Sequence, residues 1–373
     1  MGLIGGSVGD WFLLEKLEEK SEAVTETEYP FLFKGNATEY FKIWIVNIAL
    51  TLLTLGIYSA WAKVRTQRYF YGNTWLDGSS FEYLASPVAI LKGRIIAVIF
   101  FVLYWLAANF VPLLMLPVML VFLFAFPWVI ARSMLFRARN TAYRNIRFDF
   151  NGGYADVAKT FILWPILIPF TLGLIWPYVH FKQKKMLVSN SEYGESGFDF
   201  KAEPKQFYQI YAVALVIVII IPIAFSLIGA VMTVLLPELN QHDSETGRSG
   251  YVVAVVVALS TMLMFAMQYL VYVFVTTRIT NLTYSASAVG QGRLLSRLSV
   301  PAIMWIYLSN AVAIILSAGL LAPWAKIRLA RYRAANISLY ATGGLDHYRV
   351  GVVHGASALG EEAGDIFDLD ISL

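Results

Sequence analysis

Apolar residues run along this chain in blocks of two lengths, separated by short stretches in which aromatic and polar residues alternate. Two blocks are long. Residues 95–131 are almost unbroken apolar sequence, with Asn109, Pro112 and Pro117 near the middle, and residues 207–277 form two runs around a polar loop at 240–250. At roughly 20 residues per crossing, each predicts a helical hairpin that spans a bilayer twice, with bounds of 92–132 and 207–277. Three blocks are shorter, at 43–62, 161–181 and 300–325. Between the blocks, Phe31-Leu-Phe33, Phe81-Glu-Tyr83, Phe148-Asp-Phe150 and Phe198-Asp-Phe200 carry the period of two expected of half-buried strands. Weaker versions follow near 289 and 345. Short units at 31–81, 148–198 and 290–345 therefore alternate with the two long hairpins. The pattern predicts a mainly α integral membrane protein, an internally repeated helical bundle whose short strands form a small sheet on the cytoplasmic face.

The short units share more than their length. Thr54-Leu-Gly56, Thr171-Leu-Gly173 and the related Gly319 each precede an asparagine by 17 residues, at Asn73, Asn190 and Asn336. A fixed spacing of this kind marks an internal repeat. A partial fourth copy runs from Pro127 to Asn140, and Asn281 and Asn336 begin degraded versions of the eight-residue step from asparagine to strand seen from Asn73 to Phe81.

Composition places the pattern in a membrane. The 373 residues are 58% hydrophobic and 14% charged, against about 25% charged in soluble proteins, with a mean hydropathy of +0.61. Charge is unevenly spread. Residues 1–28 and 351–373 each carry a net −5, which leaves about +14 on residues 29–350 out of the overall +4. The reading is an acidic N-terminal tail (1–28), a membrane domain (29–350) and an acidic C-terminal tail (351–373), with no cleavable signal peptide expected. Basic loops in such a chain point to cytoplasmic, lipid-facing positions rather than to nucleic acid.

Each short block fits either one crossing, giving seven spans, or an in-and-back excursion, giving four spans and re-entrant elements. Both flanks of every short block are basic, as at Lys34/Lys42 and Lys63/Arg65/Arg68. The connections poor in positive charge are the Asn109–Pro117 turn and the 240–250 loop. Charge thus favours all strands on the cytoplasmic face, with both termini there too.

Candidate chemistry is sparse. Aromatic and basic residues share a helix face in each copy: Trp61, Arg65 and Arg68; Tyr178, Lys182 and Lys185; Trp324, Arg328 and Arg331; and, in the partial copy, Trp128 and Arg132. Lys63 and Lys326 accompany them. Such faces anchor a helix leaving the bilayer, or converge on an anionic lipid headgroup. Asn47, Asn109, Gln268 and Asn310 are amides inside apolar blocks, which either bridge helices or line a path. With no cysteine, thiolate chemistry is excluded. The four histidines fall at no ligand spacing and no catalytic fingerprint is present, so no metal, cofactor or enzymatic activity is expected.

The run from Phe31 to Tyr83, Phe-x-Phe-x-Gly…Glu-Tyr-Phe…Thr-Leu-Gly-Ile-Tyr-Ser-x-Trp-Ala-Lys-Val-Arg…Tyr-Phe-Tyr-x-Asn-Thr…Gly-x-x-Phe-x-Tyr, resembles the YjgN family of bacterial inner-membrane proteins. The repeated form extends that likeness over most of residues 29–350. It implies a multi-pass inner-membrane domain of unknown function. Together these readings predict transport or lipid and amphiphile handling by a pseudo-repeated bundle with a basic cytoplasmic ring. The alternative is a scaffold that binds partners through its strand layer. Membrane lipids are the expected partners, with self-association possible and nucleic acid excluded.

Overall fold

The computed structural model describes residues 26–235, 248–342 and 345. Five helical hairpins rise from a single sheet, and each begins and ends on a strand. The first is α1 (Ala37–Leu53) and α2 (Ser59–Asn73); the second is α3 (Pro87–Phe110) and α4 (Met115–Arg139). In the third, α5 (Tyr154–Ala158) runs through one π-helical turn into α6 (Trp164–Phe170), and α7 (Trp176–Ser189) returns. The fourth is α8 (Pro204–Leu235) and α9 (Arg248–Ser285); the fifth is α10 (Val300–Leu316) and α11 (Ala322–Ala335). Neighbouring helices touch in sequence, and α11 touches α1, so the hairpins form a closed ring.

Four β-hairpins link successive helical hairpins: β3 (Thr74–Leu76) with β4 (Ser79–Tyr83), β5 (Thr141–Tyr143) with β6 (Ile146–Phe150), β7 (Ser191–Tyr193) with β8 (Ser196–Phe200), and β9 (Ser287–Val289) with β10 (Gly292–Ser296). β11 (Ile337–Ala341) follows the last helix, and β1 (Thr27–Pro30) and β2 (Leu32–Phe33) precede the first. All pairings are antiparallel, in the order β1-β11-β10-β9-β8-β7-β6-β5-β4-β3-β2. Only Phe31 separates the two end strands, and its N–H donates to the Ile337 carbonyl at 3.1 Å. The two edges therefore belong to one stretch, and the sheet curls into a near-closed barrel that leaves little edge unpaired.

The interior of the barrel packs a run of aromatic rings against Leu76, Val289, Leu294 and Leu339. Phe31, Phe81, Tyr143, Tyr193, Phe148 and Phe198 follow one another with ring centroids 4.8–6.5 Å apart. Tyr143 donates its hydroxyl to the Leu76 carbonyl (2.7 Å) and Tyr193 to the Tyr143 carbonyl (3.0 Å), so the buried phenols stay satisfied. A cavity of about 60 Å³ remains among these side chains.

The expected small sheet is thus corrected to eleven strands. The four arms that follow a helix are three residues long, too short for alternation to show in the sequence. The strand expected near 345 lies instead at Ile337–Ala341. The N-terminal tail assigned to 1–28 ends inside β1, and its first 25 residues, like the C-terminal tail and most of the 240–250 loop, lie outside the described residues. Helices of the second hairpin extend past the predicted 92–132 on both sides, because Lys92, Arg94 and Arg132 are helical residues rather than boundaries.

Hairpin tips explain the Thr-Leu-Gly motif. Leu55, Leu172 and Ala318 all adopt φ of 50°, each followed by a glycine with φ of 83–93°. The N–H groups of Gly56, Gly173 and Gly319 donate five residues back, to Thr51, Ile168 and Ile314, the longer bond of a Schellman motif. Thr54, Thr171 and Ser317 hydroxyls donate to the ending helix and accept from the N–H of Tyr58, Ile175 and Leu321. The glycine therefore sits at the far tip, and the asparagine 17 residues later marks the return to the barrel. Four helices, Pro87–Phe110, Pro112–Arg139, Pro204–Ala224 and Ala258–Ser285, are long and apolar enough to cross a membrane.

Candidate functional site: a ring of aromatic–cation pairs

Each returning helix meets its strand through the same junction. Asn73, Asn140, Asn190 and Asn336 donate their side-chain amides to the carbonyl four residues back at 2.7–2.8 Å. Thr74, Thr141, Ser191 and Ser287, which open the strands, donate their hydroxyls in the same way. In the fourth hairpin Ala286 takes the asparagine's place, directly before Ser287. These junctions give five helices a common register.

Eight residues before the junction stands a cation in all five: Arg65, Arg132, Lys182, Arg278 and Arg328. Twelve residues before it stands an aromatic ring in all five: Trp61, Trp128, Tyr178, Phe274 and Trp324. The spacing of four puts ring and cation on one helix face. The cation lies over the ring at 5.8 Å for Arg132–Trp128, 5.3 Å for Lys182–Tyr178, 5.8 Å for Arg278–Phe274 and 5.2 Å for Arg328–Trp324. At 1.5 Å per residue all five cations stand about 12 Å along the helix from the strand layer. None of these ten residues is buried.

Phe274 and Arg278 are absent from the sequence-derived candidates, because Ala286 removes the asparagine from which the other copies are counted. The hydroxyl of Ser287 supplies the same anchor. Asn281 is no degraded junction: it lies five residues before Ala286, inside α9.

That position, five before the junction, also reaches the backbone. Arg68 donates to the carbonyls of Tyr83 and Ala85 (both 3.3 Å), Arg331 to that of Gly35 (3.1 Å), and Asn281 to that of Leu298 (2.8 Å). Tyr83, Ser296 and Phe33 end corresponding strands, so the three side chains bind the same stretch of chain just beyond a strand, and Arg331 does so across the seam of the ring. Lys185 and Leu135 hold this position in the third and second hairpins, the lysine 6.0 Å over Phe181.

Lys63 and Lys326 stand ten residues before their junctions, on α2 and α11. Of the amides, Asn47 donates to the Ala62 carbonyl (3.3 Å) and Asn310 to the Ala325 carbonyl (3.2 Å), each bridging the two arms of its own hairpin. Asn109 donates within α3 to Trp105 (2.8 Å), and Gln268 lies exposed on α9. The structure therefore does not bring the four amides together.

Residues 28–366 match a family described as bacterial proteins of unknown function, DUF898. The chain belongs to this family. Among curated proteins, the inner membrane protein YjgN of Escherichia coli O157:H7 is 30% identical over 176 residues, which is 46% of this chain and 43% of that protein. YjgN of Escherichia coli K12 is 29% identical over 180 residues, with the same coverage, and YjgN of Salmonella typhimurium LT2 is 26% identical over 151 residues, 39% of this chain and 38% of that protein. The chain thus aligns with less than half the length of these relatives. No solved structure matches it. The relatives are inner membrane proteins and four helices here have the length and apolarity to span a bilayer, so this DUF898 chain is an inner membrane protein.

Proposed function

We propose that this protein binds anionic lipid in the inner membrane through its ring of aromatic–cation pairs and handles lipid or a related amphiphile there. The observation that carries the reading is the return of a cation to one helical level in all five hairpins, always four residues after an aromatic ring. Lys and Arg at a membrane surface are attracted to anionic headgroups by about 1 kcal/mol each. Aromatic rings one turn deeper match the interfacial belt. Passage of a polar solute along the barrel axis has little support, since aromatic and aliphatic side chains fill the interior and leave about 60 Å³.

In this reading the first, third and fifth hairpins are re-entrant. Their outgoing arms have 17 residues each, about 26 Å, and the returning arms 14 or 15, against a hydrocarbon core of about 30 Å. Their tips present Leu55 and Leu172 at 95% and 91% exposure, which suits lipid and not water. The recurring junctions and tips fit one ancestral hairpin copied around the ring, and the basic flanks favour a cytoplasmic barrel.

The test compares wild type with the Arg65→Ala, Arg328→Ala double variant, purified in mild detergent. Copurifying phosphatidylglycerol and cardiolipin per protein should fall at least twofold by mass spectrometry. An unchanged ratio would leave the ring as a simple interfacial anchor and refute the lipid-binding reading.

A further inference from the structure

One of the five pairs borders a crevice of about 610 Å³, formed by α10 and α11 at the seam where α11 meets α1. That volume lies within the roughly 300–1,000 Å³ typical of ligand sites. Ala302, Trp305, Ile306 and Ile327 supply an apolar wall, while Arg328 and Arg331 stand three residues apart on one face of α11. None of the lining residues is acidic.

Both guanidinium groups are oriented without being neutralised. Arg328 donates through one nitrogen to Ser309 Oγ (2.6 Å) and Asn310 Oδ1 (3.1 Å), and Arg331 donates once to the Gly35 carbonyl (3.1 Å). A guanidinium offers five N–H donors, so each keeps donors in hand. Neither forms an ion pair among the described residues. Two uncompensated charges beside an apolar crevice, in a membrane protein, are costly unless an anion meets them. Phosphate oxygens match the guanidinium fork, and the wall matches a hydrocarbon chain.

We propose that this crevice is a specific site for one anionic phospholipid, its phosphodiester held by Arg328 and Arg331 and one acyl chain lying along Trp305, Ile306 and Ile327. The proposal rests on the lipid-binding reading and deepens it: among the headgroup contacts around the ring, the seam holds a lipid that exchanges slowly and saturates at one per protein.

The full chain in detergent, titrated with dioleoyl phosphatidylglycerol and followed by native mass spectrometry, tests it. Wild type should keep a first lipid at collision energies that strip later ones. Dioleoyl phosphatidylcholine should bind at least fivefold more weakly, and millimolar inorganic phosphate should not displace the first lipid. Ala302→Trp, which fills the crevice and leaves both arginines, should lose that first adduct. So should Arg331→Gln, which keeps a donor for Gly35 and removes the charge. Retention of the adduct in both variants overturns the proposal, as does equal retention of phosphatidylcholine, and displacement by phosphate would reassign the site to a soluble phosphate compound. If both variants retain the adduct while the Arg65→Ala, Arg328→Ala protein still loses copurified lipid, the crevice falls and the ring stands. If neither measurement changes, both fall.

Discussion

Asn310 donates its side-chain amide to the carbonyl of Ala325 at 3.2 Å, and so fastens the outgoing arm of the fifth hairpin to the returning one. Asn47 and Ala62 make the same bond in the first hairpin at 3.3 Å. The two asparagines differ at their other end. Asn310 Oδ1 accepts from Arg328 at 3.1 Å, whereas Asn47 Oδ1 is buried without a partner among the described residues. Replacing Asn310 by leucine removes two bonds, one of them to a charged donor; replacing Asn47 removes its donated bonds and also an unsatisfied oxygen. Interhelical bonds of this kind contribute about 0.6 kcal/mol on average in membranes, and bonds to charged groups about 1.5–3 kcal/mol in soluble proteins. Asn310→Leu should therefore destabilise more than Asn47→Leu, by roughly 1 kcal/mol. Thermal unfolding in detergent, followed by size-exclusion chromatography, should rank them in that order.

Phe198 is 7% exposed, with Phe148 beside it in the barrel. Phe198→Ala should cost about 3–5 kcal/mol, the usual range for a buried aromatic truncated to alanine. Tyr143→Phe keeps the ring and loses the hydroxyl's bond to Leu76, for about 1 kcal/mol. A Phe198→Ala protein as stable as wild type would mean that the helix ring holds together without the barrel core.

Two glycines make opposite forecasts. At Gly152 an added Cβ would meet the Phe150 ring at 2.4 Å and the Met186 methyl at 2.9 Å, so Gly152→Ala should destabilise by about 1–3 kcal/mol. Gly72 lies inside α2 with nothing within 4 Å of such a Cβ, and Gly72→Ala should stabilise by about 0.5–1 kcal/mol. Unfolding midpoints of the two variants should move in opposite directions from wild type.

Part of this architecture was legible in the sequence because it is local. The spacing of 17 between glycine and asparagine survives as the length of a returning helix, from tip to junction. Aromatic alternation exposed the second arms of the β-hairpins, such as Ile146–Phe150, since five residues are enough to repeat a period of two. Closure of the sheet was not legible. It depends on Thr27 facing Ala341, a pairing that no neighbouring residue encodes. Arg278 was hidden for a different reason: its junction has lost the asparagine that marks the others. Arg68 and Arg331 share the aromatic–cation face in the sequence, but their bonds to the backbone beyond strands, at Tyr83, Ala85 and Gly35, depend on contacts distant along the chain that no local spacing encodes.

Absence of cysteine makes the membrane arrangement directly testable, since any single introduced cysteine is the sole thiol. Ser80, Glu195 and Gln291 lie in or beside β-hairpin turns of one barrel, so cysteines there must share one side of the membrane. A membrane-impermeant maleimide should label all three in inverted vesicles and none in intact spheroplasts. Leu55→Cys and Leu172→Cys, at the tips of two short hairpins, should resist the reagent from both sides and react after detergent is added. Efficient labelling of the tips from the periplasmic side would show that the short hairpins cross the bilayer completely. Labelling of the three barrel positions from opposite sides would contradict the sheet itself, because no strand order that joins β4, β8 and β10 in one barrel can place their turns across a membrane from one another.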